Sequence, residues 1–337
     1  MTLRDLYSIS LGGVHKNIKL SYYLHGIGLM LMPQWLCRRK AERLRKKFKR
    51  LPASAQEDIL FRVNYYCHLL VPQSLPADTP MLEDNTFRHN DRPWASALAR
   101  RKRRLAGPLP FFFDTYEYTR CYSQQLHWCV EGGDVNTEMQ LPTITKSRLI
   151  PSPGQASNNV LLKLNKVRHF FFLNDPYSWE EKQSHVIFRG VVKDKPRRQQ
   201  FLDMWQGHKL CDISDKCDKS IIDHLHYRYI MALEGNDVAS NLKWVMSSNS
   251  IAVMPRPTCE TWFMEGRLRP GYHYIEISPD YHDLAEKIEY YETHPEEAKA
   301  IVRHAHEWVN QFRDAEREDM ISILVMDKYF SMTGQRR

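Results

Sequence analysis

Residues 229–254 read Tyr-Ile-Met-Ala-Leu-Glu-Gly-Asn-Asp-Val-Ala-Ser-Asn-Leu-Lys-Trp-Val-Met-Ser-Ser-Asn-Ser-Ile-Ala-Val-Met. The pattern predicts strand, glycine turn, helix, strand. The apolar run 229–233 is short and closed by a turn, as a buried strand is. Glu234-Gly235-Asn236-Asp237 breaks it, and Asp237 is an N-cap candidate for a helix over 238–247. Ser248-Asn249-Ser250 then leads into a second apolar run, 251–254. A helix that starts at such a turn offers free N–H groups to an anion such as a diphosphate. An ordinary α/β crossover without a ligand has the same shape, and shape alone leans that way.

Outward from this stretch the alternation continues. His185-Val-Ile-Phe188 is a short strand running into Arg189-Gly190, 196–206 has helical spacing, and 209–213 is the next strand. Beyond Met254, a strand is expected over 271–277 and helices over 281–293 and 295–312, with Asp280 and Pro295 at the starts. Strand and helix alternating from about 186 onward argue for a parallel, doubly wound sheet. The earlier half is less regular. Residues 1–70 read as helical and basic, and 71–110 as loop with short helices. Strands are expected at Phe111-Phe112-Phe113-Asp114, 160–164 and 169–173.

The chain has 337 residues with a formal net charge of +8, and 42% of the residues are hydrophobic. It is long enough for two cores. The charge favours anionic partners: nucleotide phosphates, nucleic acid or an acidic membrane face. Seven cysteines at irregular spacings, with no CxxC pair, fit neither a disulfide framework nor a zinc site. They fit a reducing cytosol, and no signal peptide is expected. Residues 18–36 are apolar but broken by Lys19, His25, two glycines and Pro33, a poor membrane span. A basic run over 38–50 follows. The pair suits the surface of an anionic bilayer, and equally a core helix followed by a solvated one. A second basic run, Arg100-Arg101-Lys102-Arg103-Arg104, can touch phosphate or be a solvated loop.

Several charged residues sit where chemistry can use them. Arg189, at the end of a parallel strand, presents a planar fork suited to phosphate oxygens, or pairs with a surface carboxylate. Asp134, after two glycines, can act as a general base, although a turn Asp more often accepts local hydrogen bonds. Lys146, Arg148, Lys163, Lys166 and Arg168 cluster between the two halves, where an anion would be held. Glu260 flanks Trp262 in a position to receive sugar hydroxyls or to start a helix. Walker, GxGxxG, GxSxG, HExxH and Asp-x-Asp signatures are all absent from the chain, which disfavours P-loop kinases, standard NAD enzymes and a metal-dependent mechanism.

Taken in order, these motifs resemble glycosyltransferase family 90. The matching stretches are Gly133-Asp134-Val135, Lys146-Ser147-Arg148, 162–169, Phe188-Arg189-Gly190, 227–240, 248–253, Glu260-x-Trp262 and 268–275. The resemblance runs from about residue 111 to 312, and its upstream stretches, 133–135, 146–148 and 162–169, resemble the bacterial, lipopolysaccharide-associated branch. The resemblance implies a GT-B-like α/β fold: two Rossmann-like domains facing across a cleft, here with a basic helical N-terminal segment. The expected division is 1–70, an acceptor-side domain 71–185, a nucleotide-sugar-binding domain 186–312, and a tail 313–337. It also implies inversion at the anomeric carbon, a UDP-sugar donor and no required cofactor or metal. Asp134 would be catalytic. Arg189, Gly190, Glu234, Gly235, Asn236, Asp237, Ser240, Asn241, Lys243 and Glu260 would hold the donor. Many eukaryotic members carry an Arg in the turn–helix segment where this chain has Asn241 and Lys243, so Lys243 would supply that charge as a point rather than a fork. The expected acceptor is a saccharide or lipid-linked saccharide, met in the cytoplasm at the inner membrane. The rivals are a non-catalytic glycan- or nucleotide-binding protein and a nucleic-acid-binding protein. The second lacks basic residues interleaved with aromatics.

Overall fold

The computed structural model describes residues 19–84, 87–89, 92–94 and 109–335. The basic run 100–104 lies outside them. The helices α1 (Lys19–Leu31), α2 (Gln34–Arg50) and α3 (Ala53–Tyr66) come first. They are followed by a short hairpin, β1 (Phe87–His89) and β2 (Arg92–Trp94), and by α4 (Leu109–Thr119). Next come β3 (Thr143–Thr145), β4 (Ser147–Leu149), β5 (Asn159–Leu161) and α5 (Lys166–His169). The alternating half contains β6 (Gln183–Arg189), α6 (Pro196–Trp205), β7 (Cys211–Ser214), α7 (Ile221–Leu225), β8 (Tyr227–Met231), α8 (Leu242–Val245) and β9 (Ile251–Met254). It is completed by β10 (Cys259–Thr261), β11 (Ile275–Glu276), α9 (Leu284–Thr293), α10 (Pro295–Asn310) and α11 (Ala315–Met332).

The chain divides into two compact units. One comprises Val167–Thr258 and Phe263–Arg313; the other comprises Lys19–Lys166, Cys259–Trp262 and the chain from Asp314 onward. The first is an α/β unit around a five-stranded sheet ordered β11-β9-β8-β6-β7, with every pairing parallel. Parallel strands need crossovers that cover both faces, and such strands read as continuous apolar runs. All four residues of β9 are buried accordingly. Val186, Phe188, Tyr229, Met231, Ile251 and Val253 line one face and pack with Phe201, Trp205, Tyr281, Leu284 and Ile301. The buried Trp205 indole donates to the Tyr281 carbonyl (3.1 Å), so its polar edge is satisfied.

The second unit is mainly helical. Its sheets are two-stranded: β3 with β5, parallel, and β4 with β10, antiparallel. The Phe111–Asp114 stretch, expected as a strand, forms the core of α4. A short apolar run does not distinguish the two states, and Pro110 in the first turn favours the helix. The helix buries Phe112, Thr115 and Thr119 along one side. Residues 169–173, also expected as a strand, close a single helical turn and then run without regular structure.

One carboxylate gathers this unit. Glu318, buried on α11, accepts from Arg62 Nη1 of α3 (2.7 Å), Lys163 Nζ (3.1 Å) and Trp262 Nε1 (2.6 Å). Burial pushes the Lys163 amine down in pKa, and the Glu318 charge opposes that push. Trp262 also stacks on Tyr66, with ring centroids 3.8 Å apart. Removing one partner of a buried ionic group leaves the others uncompensated, at about 3–5 kcal/mol. Glu318→Ala should therefore lower stability by about that amount, read as a shift of the urea midpoint, whereas Lys328→Ala on the same helix should cost about 1 kcal/mol or less.

Candidate functional site

The strand order reverses between β6 and β8: the chain moves outward from β6 to β7, then returns to build β8, β9 and β11 on the other side. In open α/β sheets, ligands settle beyond the carboxyl ends of the strands at such a point. Two loops meet there, Arg189-Gly190 after β6 and Glu234-Gly235 after β8. Arg198, in the first turn of α6, joins them. Its Nε donates to the Glu234 carbonyl (2.9 Å), Nη2 to the Leu233 carbonyl (2.6 Å) and Nη1 to the Val191 carbonyl (3.3 Å). A Cβ at Gly235 would lie 3.1 Å from Arg198 Nη2, and one at Gly190 would lie 3.0 Å from the Phe188 ring and 3.6 Å from Arg198 Nη1. The guanidinium thus lies close against both glycines.

Every hydrogen bond of Arg198 within the described residues goes to main-chain oxygen, and no carboxylate neutralises it. Burial pushes its pKa down, and the nearby exposed Arg168 pushes it further. Two like charges held together without a counter-charge make a site for an anion. In the sequence, 196–206 shows only helical spacing, and Arg198 is not singled out there. The available signal was an Arg one turn into the helix that follows a strand-glycine pair.

The residues singled out in the sequence are distributed unevenly. Arg189 leans toward β7, where its Nη2 binds Asp212 (2.5 Å) and its Nε binds Asp218 (2.9 Å). Glu234 accepts from the Thr258 main-chain N (2.8 Å) and hydroxyl (2.6 Å). Asn236 is exposed and meets Lys195; Asp237 is buried and Ser240 half-buried. The helix expected over 238–247 is the single turn α8, so it presents no helix-dipole end of consequence. Asn241 ties the loop to β8 instead, donating to the Met231 carbonyl (2.9 Å). Lys243 is fully buried and paired with Glu265 (2.5 Å), between the Phe170 and Phe263 rings.

Glu260 belongs to the other compact unit, where β10 pairs with β4. There it is fully buried against Arg148 Nε and Nη2, both at 2.8 Å, with the Tyr65 hydroxyl on its second oxygen. Lys146, also buried, is ion-paired with the partly exposed Asp134. Gly133 has φ +150°, a conformation that favours glycine, and the Val135 N–H donates to the Ser147 hydroxyl (3.0 Å). These contacts hold Asp134 at a defined position. Lys163 is bound to Glu318, and Lys166 to Glu117 (2.8 Å). Of the five cations expected to line a cleft, Arg168 is the exposed one. Among the described residues no group of three His, Cys, Asp or Glu converges as a metal site, and the seven cysteines are free thiols.

A family model for glycosyl transferase family 90 matches residues 165–329. The chain is also similar to an O-glucosyltransferase LpsA of Dichelobacter nodosus, 36% identical over 326 residues, covering 93% of this chain and 96% of the relative. The chain belongs to glycosyltransferase family 90. As a family 90 member it is an enzyme that transfers a sugar. A second family relative is protein O-glucosyltransferase 3 of Rattus norvegicus, 25% identical over 194 residues, which span 53% of this chain and 36% of the rat protein. The family match contains the whole five-stranded sheet and both loops that Arg198 joins.

The Arg189 cluster carries a pH dependence. Partial burial disfavours the Asp212 anion, but hydrogen bonds from Tyr227, Arg189 and Lys219 outweigh it and hold the carboxyl down to about 2. A depressed carboxylate pKa contributes stability above its ordinary range, lost as pH falls through the folded value. Arg189→Ala should move acid unfolding, followed by circular dichroism, to higher pH and leave the neutral-pH fold intact.

Proposed function

We propose that the chain is an inverting, metal-independent glycosyltransferase of the GT-B type, moving a sugar from a UDP-sugar to a saccharide hydroxyl in lipopolysaccharide or a related surface glycan. The observation that carries this reading is Arg198, uncompensated at the switch point between the Gly190 and Gly235 loops, with Arg168 beside it. The two guanidinium groups meet the charge that grows on the departing diphosphate, the kind of preorganised stabilisation that each donor can supply at about 3 kcal/mol. Arg198 takes the phosphate role that the sequence suggested for Arg189 and Lys243, both of which already carry carboxylates. Both named relatives are O-glucosyltransferases, which supports glucose as the transferred sugar.

Asp134 removes the proton from the acceptor hydroxyl. The freed oxygen attacks the anomeric carbon from one face as UDP leaves from the other: the new glycosidic C–O bond forms, the bond from the anomeric carbon to the diphosphate oxygen breaks, and UDP carries away that electron pair. Lys146 holds the carboxylate in place from its buried side. The sheet unit is the donor domain in this reading, and the other unit, with Asp134, receives the acceptor. A lipid-linked acceptor would place the enzyme peripherally at the inner face of the inner membrane.

Arg198→Gln should weaken UDP binding by about 10–100-fold in calorimetry, the loss of charge-assisted hydrogen bonds of ~1.5–3 kcal/mol. Arg189→Ala should stay within a few-fold of the unsubstituted protein. Equal affinity in the Arg198 variant would remove it from the donor site. Asp134→Asn should lower transfer by about 10²–10⁴-fold while keeping UDP affinity. Full transfer in that variant would end its assignment as base, and a chain that binds UDP-glucose but never turns it over would be a binding protein.

A further inference from the structure

α1 is apolar on two opposite faces. Tyr22, Gly26 and Leu29 are buried on one, with the Tyr22 hydroxyl on Asp114 Oδ1 (2.9 Å) and Gly26 against the Phe113 ring. At 100° per residue, Leu20, Leu24, Ile27 and Leu31 fall together on the other face. These are 67%, 58%, 49% and 80% exposed, where a solvated helix would carry polar residues. Met32, Trp35 and Leu36, next in the chain, are exposed apolar residues as well, Trp35 at 59%.

In α2 the residues on the same face as Trp35 are Arg38, Arg39, Glu42, Lys46, Lys49 and Arg50, all exposed. Those five cations have no ion pair among the described residues. By contrast, Lys40 binds Asp319, Arg45 binds Asp327, and Arg43 and Lys47 bind Glu316. Glu42 is the one carboxylate in the row. An exposed leucine row, a tryptophan at its end and a run of unpaired cations beyond it are complementary to an acyl–headgroup boundary bearing negative phosphates. Among the described residues no helix is long and apolar enough to cross a membrane, so this surface would lie on the bilayer.

We propose that the outer face of α1 and α2 docks the enzyme on an anionic phospholipid bilayer, with Leu20, Leu24, Ile27, Leu31 and Trp35 inserted at the interface and Arg38, Arg39, Lys46, Lys49 and Arg50 on the headgroups. It deepens the peripheral reading given above, and its test contains no sugar, so either can fail alone. The full chain is sedimented with phosphatidylcholine vesicles, with and without phosphatidylglycerol. Binding should require phosphatidylglycerol and fall as salt is raised. Leu24→Asp/Ile27→Asp/Leu31→Asp should lose on the order of a hundredfold in vesicle affinity. Replacing Arg38, Arg39, Lys46 and Lys49 by Gln should lose about fivefold per cation on anionic vesicles at low salt. Both variants should keep the circular dichroism spectrum and cooperative thermal unfolding of the unsubstituted chain, which verifies folding. Absence of vesicle binding, undiminished binding by either variant, or a dimer in solution that the Asp variant dissociates would each overturn the proposal; the last would assign the face to a second copy. If the Asp variant does not fold, the Gln variant and the lipid dependence of the unsubstituted chain still decide it.

Discussion

A parallel sheet wound in two directions has to reverse, and the reversal leaves two strand ends whose following loops diverge to opposite faces. Here the gap falls between β6 and β8, and the Arg198 guanidinium fills it by taking carbonyls from both loops. The side chain satisfies main-chain acceptors that the sheet leaves unpaired, yet it brings a full charge that those acceptors only partly offset. Glycine at 190 and 235 follows from that placement, because a side chain at either would press on the guanidinium or its neighbour. One residue therefore fixes the geometry of the two loops and the sign of the potential between them.

The same accounting separates cations that build the fold from those that can serve a ligand. Lys146, Arg148, Lys163, Lys166, Arg189 and Lys243 all have carboxylate partners at contact distance. A buried charge without such a partner would be costly, so these pairs are conditions for burial and add little net stability. A +8 chain can thus neutralise these cations and still leave Arg198, at the switch point of the sheet, without a carboxylate partner among the described residues.

Local pattern carried the sheet well. β6, β8 and β9 were legible because each contains a short continuous apolar run next to a turn, β7 from its place in the strand–helix alternation, and α6, α9 and α10 because their apolar positions repeat at helical spacing. Phe111-Phe112-Phe113 misled for the same reason: a three-residue apolar run has no period to read, and the packing of α1 against it decides for helix. The ion pairs were illegible because they are long-range. Arg148 and Glu260 are 112 positions apart, and the strand pairing that joins them takes Cys259–Trp262 out of the sheet unit altogether. The family resemblance pointed to the loops at 189–190 and 234–237, but pairing distinguishes Arg189 from Arg198, and pairing is a property of the folded chain.

The N-terminal helices show how a packing constraint can leave an apolar face exposed. An ideal Cβ at Gly26 would stand 2.5 Å from the Phe113 ring, so α1 can approach α4 closely only with glycine there. Tyr22 then donates to the Pro110 carbonyl (3.0 Å) and to Asp114, which fixes the helix in rotation about its own axis. With that rotation set, Leu20, Leu24, Ile27 and Leu31 have no freedom to turn inward. Their exposure is a consequence of how tightly the opposite face is held. A helix docked only by hydrophobic contact would rotate to bury its leucines; this one is held against that rotation by directional hydrogen bonds and a glycine contact.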